Sequence, residues 1–322
     1  MSKIKEDNSK RYNQYSRHLQ EIFNCKVYKI TIDAGFSCPN RDGTISKNGC
    51  IFCDTSGSFS QAHSNLLSIE KQLETSITRL KNRFKAEKFI SYFQAFTNTY
   101  APVEKLKVLY DSALSHPDVV GLSIGTRPDC IDDEKLDLIS SYQKDYYVWI
   151  EYGLQSIHNK TLNYINRGHS FEDFVRAVEL TKKRAIKTCA HVIIGLPGET
   201  KQDMLETAKV LAAMGIDGVK IHLLCVLEGT ELENLYKNGD FQVLSSEKYV
   251  ETVCDFLEML PPSTTIHRIA GNGLKKLLIA PKWLDEKFKT LNMIDKELEK
   301  RNSYQGKCLT RIANTDLQSM YD

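Results

Sequence analysis

Residues 187–224 read KTCAHVIIGLPGETKQDMLETAKVLAAMGIDGVKIHLL, and this stretch decides the fold class. It parses as a strand over 187–194, a turn and helix cap at Gly195-Leu196-Pro197-Gly198-Glu199-Thr200, a helix over 200–214, and a second strand over 217–224 (DGVKIHLL). Two strands joined through a helix of more than ten residues must pair in parallel, and the crossover is right-handed.

The same unit recurs on both sides. Residues 26–33 (KVYKITID) are β-branched and extended, and a loop rich in glycine, cysteine and serine follows from Ala34 to Ser60. Leu66, Leu67, Ile69, Leu73, Ile77 and Leu80 repeat near helical spacing over 64–84. Strand 88–96 precedes a helix opened by Pro102 at about its first position. Strand 119–125 precedes a helix over 132–145, and strand 147–152 (YVWIEY) precedes helices near 158–166 and 171–185. After 217–224 come helices near 230–237 and 246–259, with residues 264–269 (TTIHRI) as a further short strand. Six strand–helix units build either an open doubly wound sheet or a barrel, and both place chemistry at the C-terminal ends of the strands. Residues 281–322 break the pattern with eight Lys/Arg, seven Asp/Glu and few apolar anchors, and read as a helical appendage.

Composition is ordinary for a globular chain of 322 residues, 41% hydrophobic and 26% charged. The net charge of +2 gives no large field towards nucleic acid, although residues 1–29 hold seven Lys/Arg against three Asp/Glu, a basic arm that is either solvated or RNA-facing. No apolar run approaches a membrane span, and the N-terminal MSKIKEDNSK lacks the apolar stretch of a signal peptide, so a cytoplasmic location without membrane contact is expected. Nine cysteines in such a chain are not a disulfide framework.

Three of them carry a pattern. Cys38, Cys50 and Cys53 form C-x11-C-x2-C in the loop after the first strand, where this kind of fold places its site. Thiolates suit zinc or iron–sulfur. Structural zinc wants four protein ligands, with His63 as the fourth here, whereas a 4Fe–4S cluster on three cysteines keeps one iron open. Cys25, Cys130, Cys189, Cys225, Cys254 and Cys308 show no such pairing and read as core or surface thiols, with Cys225 set apart because it closes the sixth strand at the mouth.

The cysteine loop, with Phe52 directly before its last cysteine, resembles the cluster loop of radical S-adenosylmethionine (SAM) enzymes. Its long first gap departs from their usual C-x3-C-x2-C and resembles the branch related to the catalytic subunit of Elongator, with its small stand-alone bacterial family (the MnmL type). Ile150-Glu151-Tyr152-Gly153-Leu154-Gln155-Ser156, Ile165-Asn166-Arg167-Gly168-His169, Thr126-Arg127-Pro128-Asp129 and His191 to Thr200 resemble further family segments in the family's order.

The resemblance implies an α/β chain. A partial (β/α)6 TIM-like barrel of parallel strands would cover 26–275, with an N-terminal arm over 1–25 and a C-terminal helical appendage over 276–322. It implies a 4Fe–4S cluster on Cys38, Cys50 and Cys53, and SAM as cofactor. Glu151, Gln155 and Ser156 would lie by the SAM ribose, Arg167 on its carboxylate and Gly195 by its adenine. The usual glycine pair for the SAM amino group is not evident; Gln94 to Tyr100 occupies its place, with Asn98 or backbone carbonyls as substitutes. Arg127, His191 and His222, with Asp129, face the interior as candidates for catalysis, and Tyr92 and Tyr100 for stacking a base. The implied partners are tRNA as substrate and a flavodoxin- or ferredoxin-type electron donor, and the implied reaction converts wobble carboxymethylaminomethyl-uridine towards aminomethyl-uridine. Two rivals stand beside it: another radical SAM reaction such as coproporphyrinogen-type oxidation, and a zinc-stabilised RNA-binding module without catalysis.

Overall fold

The computed structural model describes residues 10–54, 57, 67–271 and 277–309. In chain order its elements are α1 (Tyr15–Phe23), β1 (Val27–Ile32), α2 (Ile69–Phe84), β2 (Lys88–Phe93), α3 (Val103–Ala113), β3 (Val119–Thr126), α4 (Asp133–Ser141) and β4 (Tyr147–Gln155). There follow α5 (Asn159–Tyr164), α6 (Phe171–Lys182), β5 (Lys187–Ile194), α7 (Lys201–Ala213), β6 (Gly218–Leu223), β7 (Val226–Leu227), α8 (Glu231–Asn238), α9 (Ser246–Met259), β8 (Thr265–Arg268), β9 (Leu278–Ala280) and α10 (Lys287–Lys300). Seven parallel strands form one sheet in the order β1-β2-β3-β4-β5-β6-β8. This is the expected partial barrel, with β8 added as a seventh strand beside β6.

The alternation within each strand sorts side chains by chemistry. Ile150 and Tyr152 of β4, and Val192 and Ile194 of β5, are buried in the main apolar core with Phe174 of α6 and Leu211 of α7. The intervening residues face the barrel interior and are polar: Lys29, Tyr92, Ser123, Glu151, His191 and Lys220. Apolar burial on the outer face supplies the driving force at roughly 25 cal/mol per Å², and the interior is left for chemistry. Helices α6 and α7, which follow β4 and β5, each open with a full capping box, Ser170 with Asp173 and Thr200 with Asp203. A cap of this kind stabilises a helix start by about 1 kcal/mol.

Two additions close the barrel. Helix α1 plugs the end where the strands begin: Tyr15 stacks on His267 with centroids 4.0 Å apart and meets Trp149 edge-on at 5.9 Å. At the other terminus β9 pairs antiparallel with β7, and α10 buries Ile294 and Leu298 fully against α9. The segment read from sequence as a helical appendage therefore contributes a strand as well. Among the described residues, no helix is long and apolar enough to cross a membrane.

Candidate active site

The long gap between Cys38 and Cys50 folds back on itself. The Arg41 N–H donates to the Cys38 carbonyl at 2.8 Å, and the Cys53 N–H to the Cys50 carbonyl at 2.9 Å. The Arg41 guanidinium then reaches across to the carbonyls of Cys53 and Asp54 at 2.6 and 2.5 Å, which ties the end of the loop back to its first half. The segment after α5 clamps the loop from the other side. Asn166 donates to the Gly49 carbonyl at 2.6 Å, and Asn40 donates back to the Asn166 carbonyl at 2.6 Å. Gly168 is needed at this junction: φ is +73°, and a Cβ there would stand 2.7 Å from Asn40 Oδ1. Tyr100, a candidate for base stacking, instead holds the loop through its hydroxyl, 2.9 Å from Thr44 Oγ1.

All three cysteines line one cavity at the C-terminal ends of the strands. Asn40 Nδ2 and Arg167 Nη1 each lie 3.6 Å from Cys50 Sγ, donors that suit a thiolate. His63, the candidate fourth zinc ligand, lies outside the described residues.

The cavity wall also carries the residues expected around SAM. The β2 end turns through Ala95 and Phe96 with φ of +112° and +58°, and Asn98, held by the Ala95 and Gly125 carbonyls at 3.1 and 2.7 Å, keeps its buried Oδ1 without a hydrogen-bond partner among the described residues. That orphaned acceptor fits an ammonium group in place of the absent glycine pair. Arg167 is buried, anchored on the Gly153 carbonyl at 2.7 Å. Gln155 lines the cavity from the end of β4 with φ +77°. Ser156 does not turn into it; its hydroxyl donates to Glu199 and accepts from the His158 N–H. Gly195 has φ +91° and leaves space that Leu244 occupies: a Cβ there would lie 3.1 Å from Leu244 Cδ1. Arg127 forks onto Asp129 at 2.9 and 2.8 Å and donates to the Arg167 carbonyl at 2.8 Å, so it positions Arg167 from behind.

Deeper in the barrel, Glu151 is fully buried. One oxygen accepts from Ser123 at 2.6 Å and from Lys29; the other faces His191 Nε2 at 2.7 Å and Lys220 at 3.3 Å. Lys220 also donates to the Tyr92 hydroxyl at 2.7 Å, which makes Tyr92 part of this network. Burial alone would raise the Glu151 pKa, but Lys220 and Lys29 hold it well below the usual carboxylate range. Burial lowers Lys220 to about 8 and His191 to about 4, so both histidines here are neutral: His222, driven down by burial and then by Arg268, lies 5.3 Å from His191 between ring centroids. The buried His222 Nε2 has no partner among the described residues.

A second chamber adjoins the first and shares Phe52, Cys53, Gln155, His191 and His222 with it. Its other walls include Ile193, Leu223, Leu224, Leu284, Cys225 and Arg268. Burial pushes the Cys225 thiol up to about 12, so it stays protonated. Lys29, Lys220, His267 and Arg268 were not singled out from the sequence. Lys220 shares its face with His222 and was within reach of the alternation rule. His267 and Arg268 were not, because β8 carries a bulge: Ile266 pairs with Val219 and Arg268 with Lys220, so both residues turn inward.

A parallel partial barrel with three thiols around an open cavity at its C-terminal mouth is the layout of an enzyme built to hold an iron–sulfur cofactor. Comparison with known proteins makes the assignment definite. The radical SAM superfamily profile matches residues 43–211, and the profile of the radical SAM C-terminal domain matches 216–300. The chain belongs to the radical SAM superfamily. It is 45% identical to YtqA of Bacillus subtilis over 303 residues, covering 94% of both chains, and 38% identical to YhcC of Escherichia coli over 300 residues, covering 93% of this chain and 96% of that one. It is also 33% identical to the tRNA uridine(34) acetyltransferase of Methanocaldococcus infernus over 153 residues, 47% of this chain and 28% of that protein. In fold it matches the Elp3 structure from the same archaeon, with a TM-score of 0.65, 19% identity, and coverage of 89% of this chain and 68% of that one. It is thus a small stand-alone member of the Elongator-related branch.

Proposed function

We propose that this radical SAM enzyme modifies the C5 side chain of the wobble uridine of tRNA, converting carboxymethylaminomethyl-uridine to aminomethyl-uridine; SAM would serve as the two-electron oxidant of the N–CH2 carbon, and water would release the two lost carbons as glyoxylate. The observation that carries the reading is the trio Cys38, Cys50 and Cys53, which line one cavity opening onto a barrel interior. The choice of target base is supported by the similarity of about half of this chain to a tRNA uridine(34) acetyltransferase. With a 4Fe–4S cluster and SAM bound, the site supplies a 5′-deoxyadenosyl radical able to take hydrogen from an unactivated carbon.

The chain's own residues do the rest. Cys38, Cys50 and Cys53 hold the cluster. Asn98 Oδ1 accepts from the SAM ammonium, Arg167 holds its carboxylate, and Gln155 faces the ribose. Arg127 keeps Arg167 in place. Neutral His191 and His222 line the passage between the two chambers and can accept or donate a proton there. A single-stranded anticodon base enters without the cost of opening a duplex. The electron comes from a flavodoxin- or ferredoxin-type donor. The match to the radical SAM superfamily profile over residues 43–211 speaks against the zinc-stabilised RNA-binding alternative.

The test has two stages. Anaerobically reconstituted protein, given SAM and dithionite, is expected to yield 5′-deoxyadenosine, and a Cys38→Ala, Cys50→Ala, Cys53→Ala variant none. Nucleosides from bulk tRNA of a deletion strain are then expected to accumulate carboxymethylaminomethyl-uridine; an unchanged wobble profile would sink the tRNA assignment while leaving the radical chemistry standing.

A further inference from the structure

The second chamber contains a half-buried cation, Arg268, that forms no ion pair among the described residues. The Arg268 guanidinium lines the wall, and its one hydrogen bond to a described residue is from Nε to the Ala270 carbonyl at 3.3 Å. Lys29 and Lys220 already share Glu151. Burial works against the Arg268 charge, and leaving a guanidinium fork unfilled in such a place is costly unless a ligand completes it.

The backbone is arranged to present this group. The β8 bulge turns Arg268 inward next to its register partner Lys220. Gly271 leaves the space that the guanidinium fills: a Cβ there would stand 2.1 Å from Arg268 Nη2. The orphaned Nε2 of His222 lines the same chamber. Apolar Ile193, Leu223 and Leu284 leave the polar groups clustered at one end, as in a site that takes a small group with one charged terminus.

We infer that Arg268, with Gly271 shaping its seat, is a specificity-determining residue that receives a carboxylate carried by the substrate. This deepens the function proposed above and rests on it, because the carboxymethylaminomethyl side chain ends in such a carboxylate and the aminomethyl product does not. The guanidinium matches a carboxylate bidentately, which a lysine cannot do. Substrate and product are thereby distinguished by the group that is lost. The carboxylate of SAM is the other source of the same chemistry, and Arg167 in the first chamber is placed for that one.

Reconstituted enzyme saturated with SAM is titrated with anticodon stem-loop RNA carrying either carboxymethylaminomethyl-uridine or its carboxamide at the wobble position. Wild type is expected to bind the acid about 10- to 100-fold more tightly, the worth of a charge-assisted pair. Arg268→Gln, and independently Gly271→Ala, which displaces the guanidinium without removing it, are expected to erase that preference. SAM affinity and the thermal midpoint should stay near wild type. A wild type indifferent to the acid, an acid preference that survives in Arg268→Gln, or SAM affinity falling in step with the preference overturns the subsite and leaves the RNA reading intact. If neither RNA binds, the RNA reading fails, and ligand-observed NMR with N-methylglycine decides the subsite: binding lost in Arg268→Gln sustains it for another carboxylate substrate, and no binding to wild type removes it.

Discussion

Gly153 shows how tightly the site constrains a single position. A Cβ there would lie 2.7 Å from Arg167 Nη2 and 2.8 Å from Gln155 Nε2, so the interior-facing position on β4 must stay bare for both side chains to meet. Overpacking of this kind typically costs 1–3 kcal/mol. Here the strain falls on two proposed SAM contacts. Gly153→Ala is expected to weaken SAM binding about tenfold or more while the far-ultraviolet circular dichroism stays native; unchanged affinity would remove Arg167 and Gln155 from the SAM site. At this scale the cysteines were legible from their spacing, and Arg167 and Gln155 only from the resemblance of their segments to the family's. Asn40, Arg41 and Asn166 were less so. They act by clamping the cysteine loop through backbone carbonyls, and such partners are set by how loops fold against each other, not by periodicity.

The element that most changes the picture drawn from sequence is α1. Residues 1–29 look like a basic arm by charge count, yet Tyr15 and Leu19 are buried under the barrel, and Lys29 points inward to Glu151. Nine residues with two core anchors are too short a run to stand out from the charges around them, so the strands and longer helices were readable and this plug was not. Tyr15 offers a paired test. Its ring lies against His267 and Trp149 and 4.5 Å from Lys29 Nζ, so Tyr15→Ala is expected to lose about 3 kcal/mol or more, in line with large-to-small aromatic substitutions in cores. Its buried hydroxyl has no partner among the described residues, so Tyr15→Phe removes an unpaired group and should be neutral or stabilising. Urea unfolding of both variants checks the pair. A small loss for Tyr15→Ala would mean that α1 rests on the barrel without plugging it.

At the scale of the whole molecule, a polar network inside a barrel ties the stability of the fold to pH. The folded protein holds His191 at about 4 and His267 at about 3, in both cases because burial disfavours the charged ring. In the unfolded chain each titrates near 6.5. As pH falls below about 6.5 the unfolded chain takes up protons that the native barrel refuses, so stability falls with pH down towards 4 and 3, by up to about 1.4 kcal/mol per pH unit for each ring. Glu151, held low in the folded state, adds to the loss once pH drops below the ordinary carboxylate value of about 4.3. Lys220 governs the alkaline side. Folded at about 8 and unfolded near 10.4, it makes the unfolded chain the better proton binder between those values, so its contribution grows more favourable as pH rises through that window. His267 is the group to vary, because it lies at the barrel floor beneath Tyr15 and a phenyl ring can keep the stack. His267→Phe is expected to flatten the decline of unfolding free energy between pH 6.5 and 5 by up to about 1.4 kcal/mol per unit relative to wild type, whatever it costs at neutral pH. Parallel slopes for the two proteins in urea unfolding would mean that this ring titrates alike in the folded and unfolded chains, and the acid sensitivity would then have to come from elsewhere in the network.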